Sequence, residues 1–257
     1  MTIASFISYV LDLARKDGKG NVVSPQAIVN WLTYVMLDDF NALLTQALTL
    51  AEQKQVALAN VIFDIKDLRQ FVATKELTLG TNVNYGATVR TQEWVLPADF
   101  KYELGATAGM VNLELLSATL LPKYRASVLN SNPEESPKGF VGAGVLSTIP
   151  NDTTDVVLVY LRTPAKPYYD FCMDANDLEI FMPEGSVIHN DDALNPCLYD
   201  STGALMVSNV IKAGVTLPYT SLTVDLDWDE TNHVRFANDV ASKLGINLKN
   251  SILVQKQ

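Results

Sequence analysis

Asp225-Leu226-Asp227, followed by Asp229 and Glu230, is the grouping of this chain best suited to chemistry. Alternating carboxylates on a strand would share a face and could hold a hard cation through oxygen. The same Asp227 or Asp229 could instead cap a following helix, whose N-terminus favours negative charge. Neither a basic group nor a nucleophile stands beside these carboxylates in a pattern that suggests acid–base work. Other chemistries find less. Zinc needs four nitrogen or sulfur ligands in close order, and Cys172, Cys197, His189 and His233 lack that spacing. Both histidines are expected as surface or capping residues. Ser147 has no Gly-x-Ser-x-Gly elbow around it. Gly139, Gly142 and Gly144 lack the Lys-Ser/Thr pair of a P-loop and the full dinucleotide fingerprint, which leaves a flexible loop. The expectation is no enzyme, no cofactor and no metal, with Asp225, Asp227 and Asp229 as weak metal candidates.

The elements that would carry these residues begin with a helix. Ile3, Phe6, Ile7, Val10, Leu11 and Ala14 recur at three- and four-residue spacing, which gives one apolar stripe. Asp17-Gly18-Lys19-Gly20-Asn21 favours a tight turn. Ser24-Pro25 then opens a second helix, with Ser as N-cap and Pro at the first position. Unbroken from Pro25 to about Ala59, it would be roughly 50 Å long. It must break near Asp38-Asp39 or pack against something else. Leu43, Leu44, Leu48, Leu50, Val56 and Leu58 leave apolar residues on more than one side, the mark of a helix covered from several directions. A neighbouring subunit could supply that cover, with Trp31, Leu43, Leu50 and Val56 as candidate contact residues.

Phe63 to Phe71 reads as a short helix with Phe63, Leu68 and Phe71 inward. From Leu77 the texture turns to short Thr-, Val- and Tyr-rich stretches among Gly and Asn. Pro97 ends one such stretch, and Asp99 could cap a turn. Residues 130–144 read as an exposed loop. Thr154 to Leu161 is the clearest strand, apolar enough for burial on both faces. Trp228 to Leu244 has helical spacing, with Gly245 at the C′ position. Helices around a β-rich middle predict an α+β class: an N-terminal helical hairpin or bundle over 1–75, a β-rich region over 76–227, and a C-terminal helix and tail over 228–257, in one compact unit.

The net charge of −10 over 257 residues argues against broad nucleic-acid binding, which needs clustered Lys and Arg. From Tyr168 to Ile211 the chain carries Asp170, Asp174, Asp177, Glu179, Glu184, Asp191, Asp192 and Asp200 with no Lys or Arg. This is a solvated face or, more sharply, a surface that repels phosphate, with Asp174, Asp177, Glu179, Asp191 and Asp192 as its candidates. No apolar run reaches the ~18 residues that span a bilayer, and the first residues do not form a secretory signal. Two cysteines are too few for a disulfide framework. They read as reduced and packed, unless the fold brings them together.

Several phrases together resemble virion structural proteins of crAss-like tailed phages. They are Phe6-Ile-Ser-Tyr-Val with Lys16-x-Gly-x-Gly and Val23-Ser24-Pro25; Leu96-Pro97-Ala98-Asp99-Phe100 with Tyr102; Val159-Tyr160-Leu161-Arg162-x-Pro164; and Trp228 with Leu244-Gly245-Ile246-Asn247-Leu248. Their order is also similar to that of the tail-tubular adaptor rings of short-tailed phages. The resemblance implies a head-to-tail connector subunit, made in the bacterial host cytoplasm and placed in the virion. It would form a homo-oligomeric ring, usually twelvefold, below the portal protein and beside other tail or ring proteins, with no sequence-specific nucleic-acid binding and no membrane. Another tail or packaged virion protein is the alternative. A small metal-binding or enzymatic module centred on Asp225, Asp227 and Asp229 is the alternative of a different class.

Overall fold

The structure is a computed structural model that describes residues 1–16, 23–85, 89–116, 137–149, 153–191 and 195–246, with backbone only for 81–85 and 89–91. The expected Asp17–Asn21 turn, Asp192 and the tail beyond Ile246 lie outside these residues. The class is α+β, with N-terminal helices, a strand-rich middle and a C-terminal helix. The chain forms two units. One joins Met1–Asn41 to Pro164–Gln257, and the other is Ala42–Thr163.

In the first unit the apolar stripe of α1 (Ile3–Lys16) is buried at Ile3, Phe6, Ile7, Val10 and Ala14. It packs on α5 (Glu230–Lys243), which buries Phe236, Ala237, Val240 and Ala241. Each fully buried large side chain stabilises the fold by about 1.5–3 kcal/mol before its ordering cost is subtracted. The ends of α5 are held locally. The Asp229 carboxylate accepts the Thr231 N–H. At the other end Ile246 N–H reaches the Ala241 carbonyl and Gly245 N–H reaches that of Ser242. Gly245 has φ +72°, the left-handed residue that this ending requires.

Helix α2 (Pro25–Lys54) starts as its cap predicts, with Ser24 Oγ accepting the Ala27 N–H. It runs through Asp38-Asp39 without a break. There Arg235 of α5 grips Asp39 with both guanidinium nitrogens, at 2.6 and 2.7 Å. The helix ends at Gln55, whose φ is +52°. From Ala42 on, α2 belongs to the second unit; the rest of the first unit is largely β structure. A hairpin of β10 (Phe171–Met173) and β11 (Glu179–Phe181) accompanies a sheet ordered β14-β13-β12-β15. That sheet contains β12 (Val187–Asn190), β13 (Pro196–Tyr199), β14 (Leu205–Ser208) and β15 (Tyr219–Thr220). Cys172, Met182, Ile188, Leu198 and Val210 form its core. Both cysteines are buried free thiols.

In the second unit, the single helix expected over 63–71 is two: α3 (Leu58–Asp64) and α4 (Lys66–Arg69), parted at Ile65. Leu68 and Phe71 are buried as expected, but Phe63 is 46% exposed. The turn at Ile65 shifts the phase of the apolar positions, so Phe63 no longer shares their face. Two sheets follow, ordered β1-β9-β4-β5 and β2-β3-β8-β7-β6, where β5 is Val111–Asn112 and β6 is Glu114–Leu115. Leu77, between β1 (Val72–Glu76) and β2 (Thr78–Tyr85), carries the chain from one sheet to the other. Its N–H bonds the Val156 carbonyl. Leu96-Pro97-Ala98-Asp99 carries it back from β3 (Val89–Val95) to β4 (Phe100–Ala108). Both sheets feed one core, with Trp94 and Leu146 from one side and Ala106, Leu158 and Tyr160 from the other.

The clearest predicted strand is β9 (Val156–Arg162), flanked by β1 and β4. Much of the expected loop over 130–144 lies outside the described residues. Lys138–Gly142, however, is strand β7. Ala143 and Gly144, both with positive φ, turn β7 into β8 (Val145–Ile149), the geometry of a tight hairpin. Gly139 is packed rather than flexible: a Cβ there would sit 2.5 Å from Leu113 Cδ2.

Candidate functional site

The carboxylates with the best pattern for a cation do not converge. Asp225 and Asp227 are not in a strand; only Val224 makes a bridge, to Tyr168. Without strand alternation, nothing holds the side chains to one face. Asp225 Oδ1 accepts the Ile3 N–H at 2.8 Å, at the start of α1. Asp227 Oδ2 accepts the Ala165 N–H at 2.9 Å. Asp229 caps α5 and also takes the Thr231 hydroxyl at 2.8 Å. The three carboxylates staple three different segments. Among the described residues no group of three His, Cys, Asp or Glu could hold a metal ion.

The acidic stretch has a structural reason as well. Asp174, Asp191 and Asp200 each begin a hairpin turn, and each uses Oδ1 to accept the N–H four residues on. The acceptor distances are 2.8 Å from Leu178, 2.8 Å from Asn195 and 2.9 Å from Ala204. In each case the backbone closes the same turn, with the aspartate N–H donating to the carbonyl of that fourth residue at 2.9 Å. The bonds from Leu178 and Asn176 hold the Asp174 carboxyl below its ordinary pKa, and those from Thr202 and Ala204 do so for Asp200. Asp177 occupies the left-handed position of its turn, φ +59°, which Asp tolerates better than most residues.

These turns do not share one surface. The β12–β13 and β13–β14 turns lie at opposite ends of β13, which separates Asp191 from Asp200. Asp174 and Asp177 do come to the Asp191 end, because Met173 bridges Ile211 while Val210 bonds Pro196. Glu179 opens β11 and is exposed. Of the candidate contact residues, Trp31 and Val56 are exposed, and Leu43 and Leu50 are half-buried. Trp31 and Tyr34 meet edge to face with centroids 5.9 Å apart, and the Lys243 ammonium lies over the Tyr34 ring.

The most concentrated electrostatics belong to residues that the sequence does not single out. Asp170 is 1% exposed. One carboxylate oxygen takes Lys212 Nζ and the Phe171 N–H; the other takes the Tyr219 hydroxyl at 2.8 Å and the Leu222 N–H at 2.9 Å. Burial pushes its pKa up, but the Lys212 ammonium, the Leu222 N–H and the Tyr219 hydroxyl outweigh this and hold it below the ordinary value. Burial and the Asp170 charge push the Tyr219 hydroxyl to about 12. Lys212 also gives a hydrogen to the Phe171 carbonyl and lies over the Phe171 and Tyr219 rings.

A recess of about 190 Å³ opens beside Lys212, lined otherwise by aliphatic residues such as Ile188, Val210 and Leu217. The cation is already paired and Tyr219 stays protonated, so this geometry locks a fold rather than activating a nucleophile. No protein-family model matches the chain, and no curated protein matches it. The signal that could have exposed the ion pair is Lys212 itself, the first base after the acidic stretch. Among the described residues no helix is long and apolar enough to cross a membrane.

Proposed function

We propose that this chain is a structural, non-enzymatic subunit of a phage virion, a connector or adaptor ring between portal and tail through which DNA passes. The observation that carries the reading is how the polar and apolar groups divide. The best chemical candidates, Asp225, Asp227 and Asp229, are engaged in bonds that hold the fold. Aromatic surface remains open on α2, with Trp31 37% and Tyr34 53% exposed as one edge-to-face pair. Clustered aromatics on a surface are typical anchors of protein interfaces. A cyclic ring needs two unlike, complementary flanks on each subunit.

The phrases similar to crAss-like virion proteins supply the phage context, the portal as partner and the virion as location. In this reading the end of the small sheet at Asp191, together with the β10–β11 turn that holds Asp174 and Asp177, turns towards passing DNA and repels its phosphates, with no nucleic acid bound in a sequence-specific way. Another tail or packaged virion protein would use the same surface. The purified chain tests the reading when its mass is measured alone and then with portal protein. A ring or a portal-bound complex is expected. A strict monomer in both conditions would remove the connector reading.

A further inference from the structure

His233 lies in the first turn of α5 and is 2% exposed. Its Nε2 is 2.8 Å from the Trp228 carbonyl oxygen. A carbonyl can only accept, so Nε2 carries the hydrogen and Nδ1 keeps the lone pair. Nδ1 is buried and has no hydrogen-bond partner. A second proton would place a charge, and a donor with no acceptor, in a site closed to solvent, and both are costly.

The surrounding charges do not rescue the protonated ring. The Met1 ammonium, beside the start of α1, opposes it. Glu230 and Asp229 favour it, but Glu230 is paired with that same ammonium at 2.8 Å and Asp229 is engaged in capping. Asp225 is bonded to Ile3, and on α2 Asp39 is paired with Arg235. Burial dominates and holds the His233 pKa below its ordinary value.

We propose that His233 makes the start of α5 acid-labile: below neutral pH its protonated ring leaves its buried site, and the first turn of α5 loosens. This stands independently of the ring reading. The sign follows from linkage. A depressed folded pKa leaves the unfolded chain binding more protons as pH falls, so stability is complete above about 6.5 and declines below it. The chain has two histidines, so few other groups titrate in that window.

The test is thermal unfolding of the full chain from pH 7.5 to 5.0 for the wild type, His233→Gln and His189→Gln. Glutamine keeps an N–H for the Trp228 carbonyl and does not titrate. The wild type and His189→Gln are expected to lose unfolding temperature progressively below pH 6.5, by at most about 3–5 °C per pH unit, while His233→Gln stays level. An equal decline in His233→Gln, or a flat wild type, overturns the proposal. If His233→Gln does not fold, NMR titration of the remaining imidazole in His189→Gln decides. A ring that stays neutral well below pH 6.5 supports the device, and one that titrates at or above its ordinary value overturns it.

Discussion

The Tyr160 hydroxyl donates to Asp99 Oδ1 at 3.0 Å, and three residues past Tyr160 the Thr163 N–H donates to the Asp99 carbonyl at 2.7 Å. These contacts join two separate stretches of the sequence, Leu96–Phe100 and Val159–Pro164. The first stretch is the corner where the chain changes sheets, and the second is the central strand that receives it. These two stretches therefore mark one joint of the fold.

Removing the Tyr160 hydroxyl tests this joint. Tyr160→Phe should cost about 1 kcal/mol in denaturant unfolding, the typical net worth of such a bond. Combined with Asp99→Ala it should cost clearly less than the two single changes added together. Full additivity would show that the pair is not coupled.

Asp170 and Lys212 should behave as a buried pair. Asp170→Asn or Lys212→Met alone should cost about 3–5 kcal/mol, because the remaining charge is left uncompensated. The joint change Asp170→Leu with Lys212→Met should cost less than either one, as read by chemical denaturation.

The hydrogen-bonded Asp170 and Tyr219 give the pH profile two limbs. The lowered Asp170 pKa gives stability that is present above about 3.8 and lost as pH falls below it. The raised Tyr219 pKa gives stability that is present below about 10 and lost as pH climbs towards about 12. Unfolding midpoints of wild type and Tyr219→Phe across both ranges check this, and Tyr219→Phe should lose the alkaline limb.

The helices were legible because their signals are local: the Ser24-Pro25 start, the α1 stripe, Asp229 before α5 and Gly245 after it. Strand partners were not, since Val72 pairs with Leu161 across most of the second unit, and nothing near either residue encodes the other. The acidic stretch suggests one surface in the sequence, but charge along a chain says nothing about charge in space. It stops one residue short of Lys212, and three of its aspartates are spent closing turns. His233, expected as a surface or capping residue, is buried because Phe236, Ala237 and Val240 turn that side of α5 inward.

Divalent cations should leave the protein unmoved. Adding calcium or magnesium, or removing them with a chelator, should not shift the unfolding midpoint, whereas Asp229→Ala should lower stability by about 1 kcal/mol through loss of the α5 cap. A cation-dependent rise in the midpoint that Asp225→Asn abolishes would revive the metal module.

The open aromatics should matter to assembly and little to folding. Trp31→Ala and Tyr34→Ala are expected to change stability by less than about 1 kcal/mol. They should weaken association at least tenfold, as anchor residues do. Light scattering of the wild type and variants at matched concentration compares the two effects.

The most direct measurement of the connector reading is the native mass of the purified chain, alone and after mixing with portal protein. A closed multi-subunit ring, free or seated on the portal, is expected, and Trp31→Ala should disrupt it. A chain that stays monomeric and unbound in both conditions would contradict the connector reading.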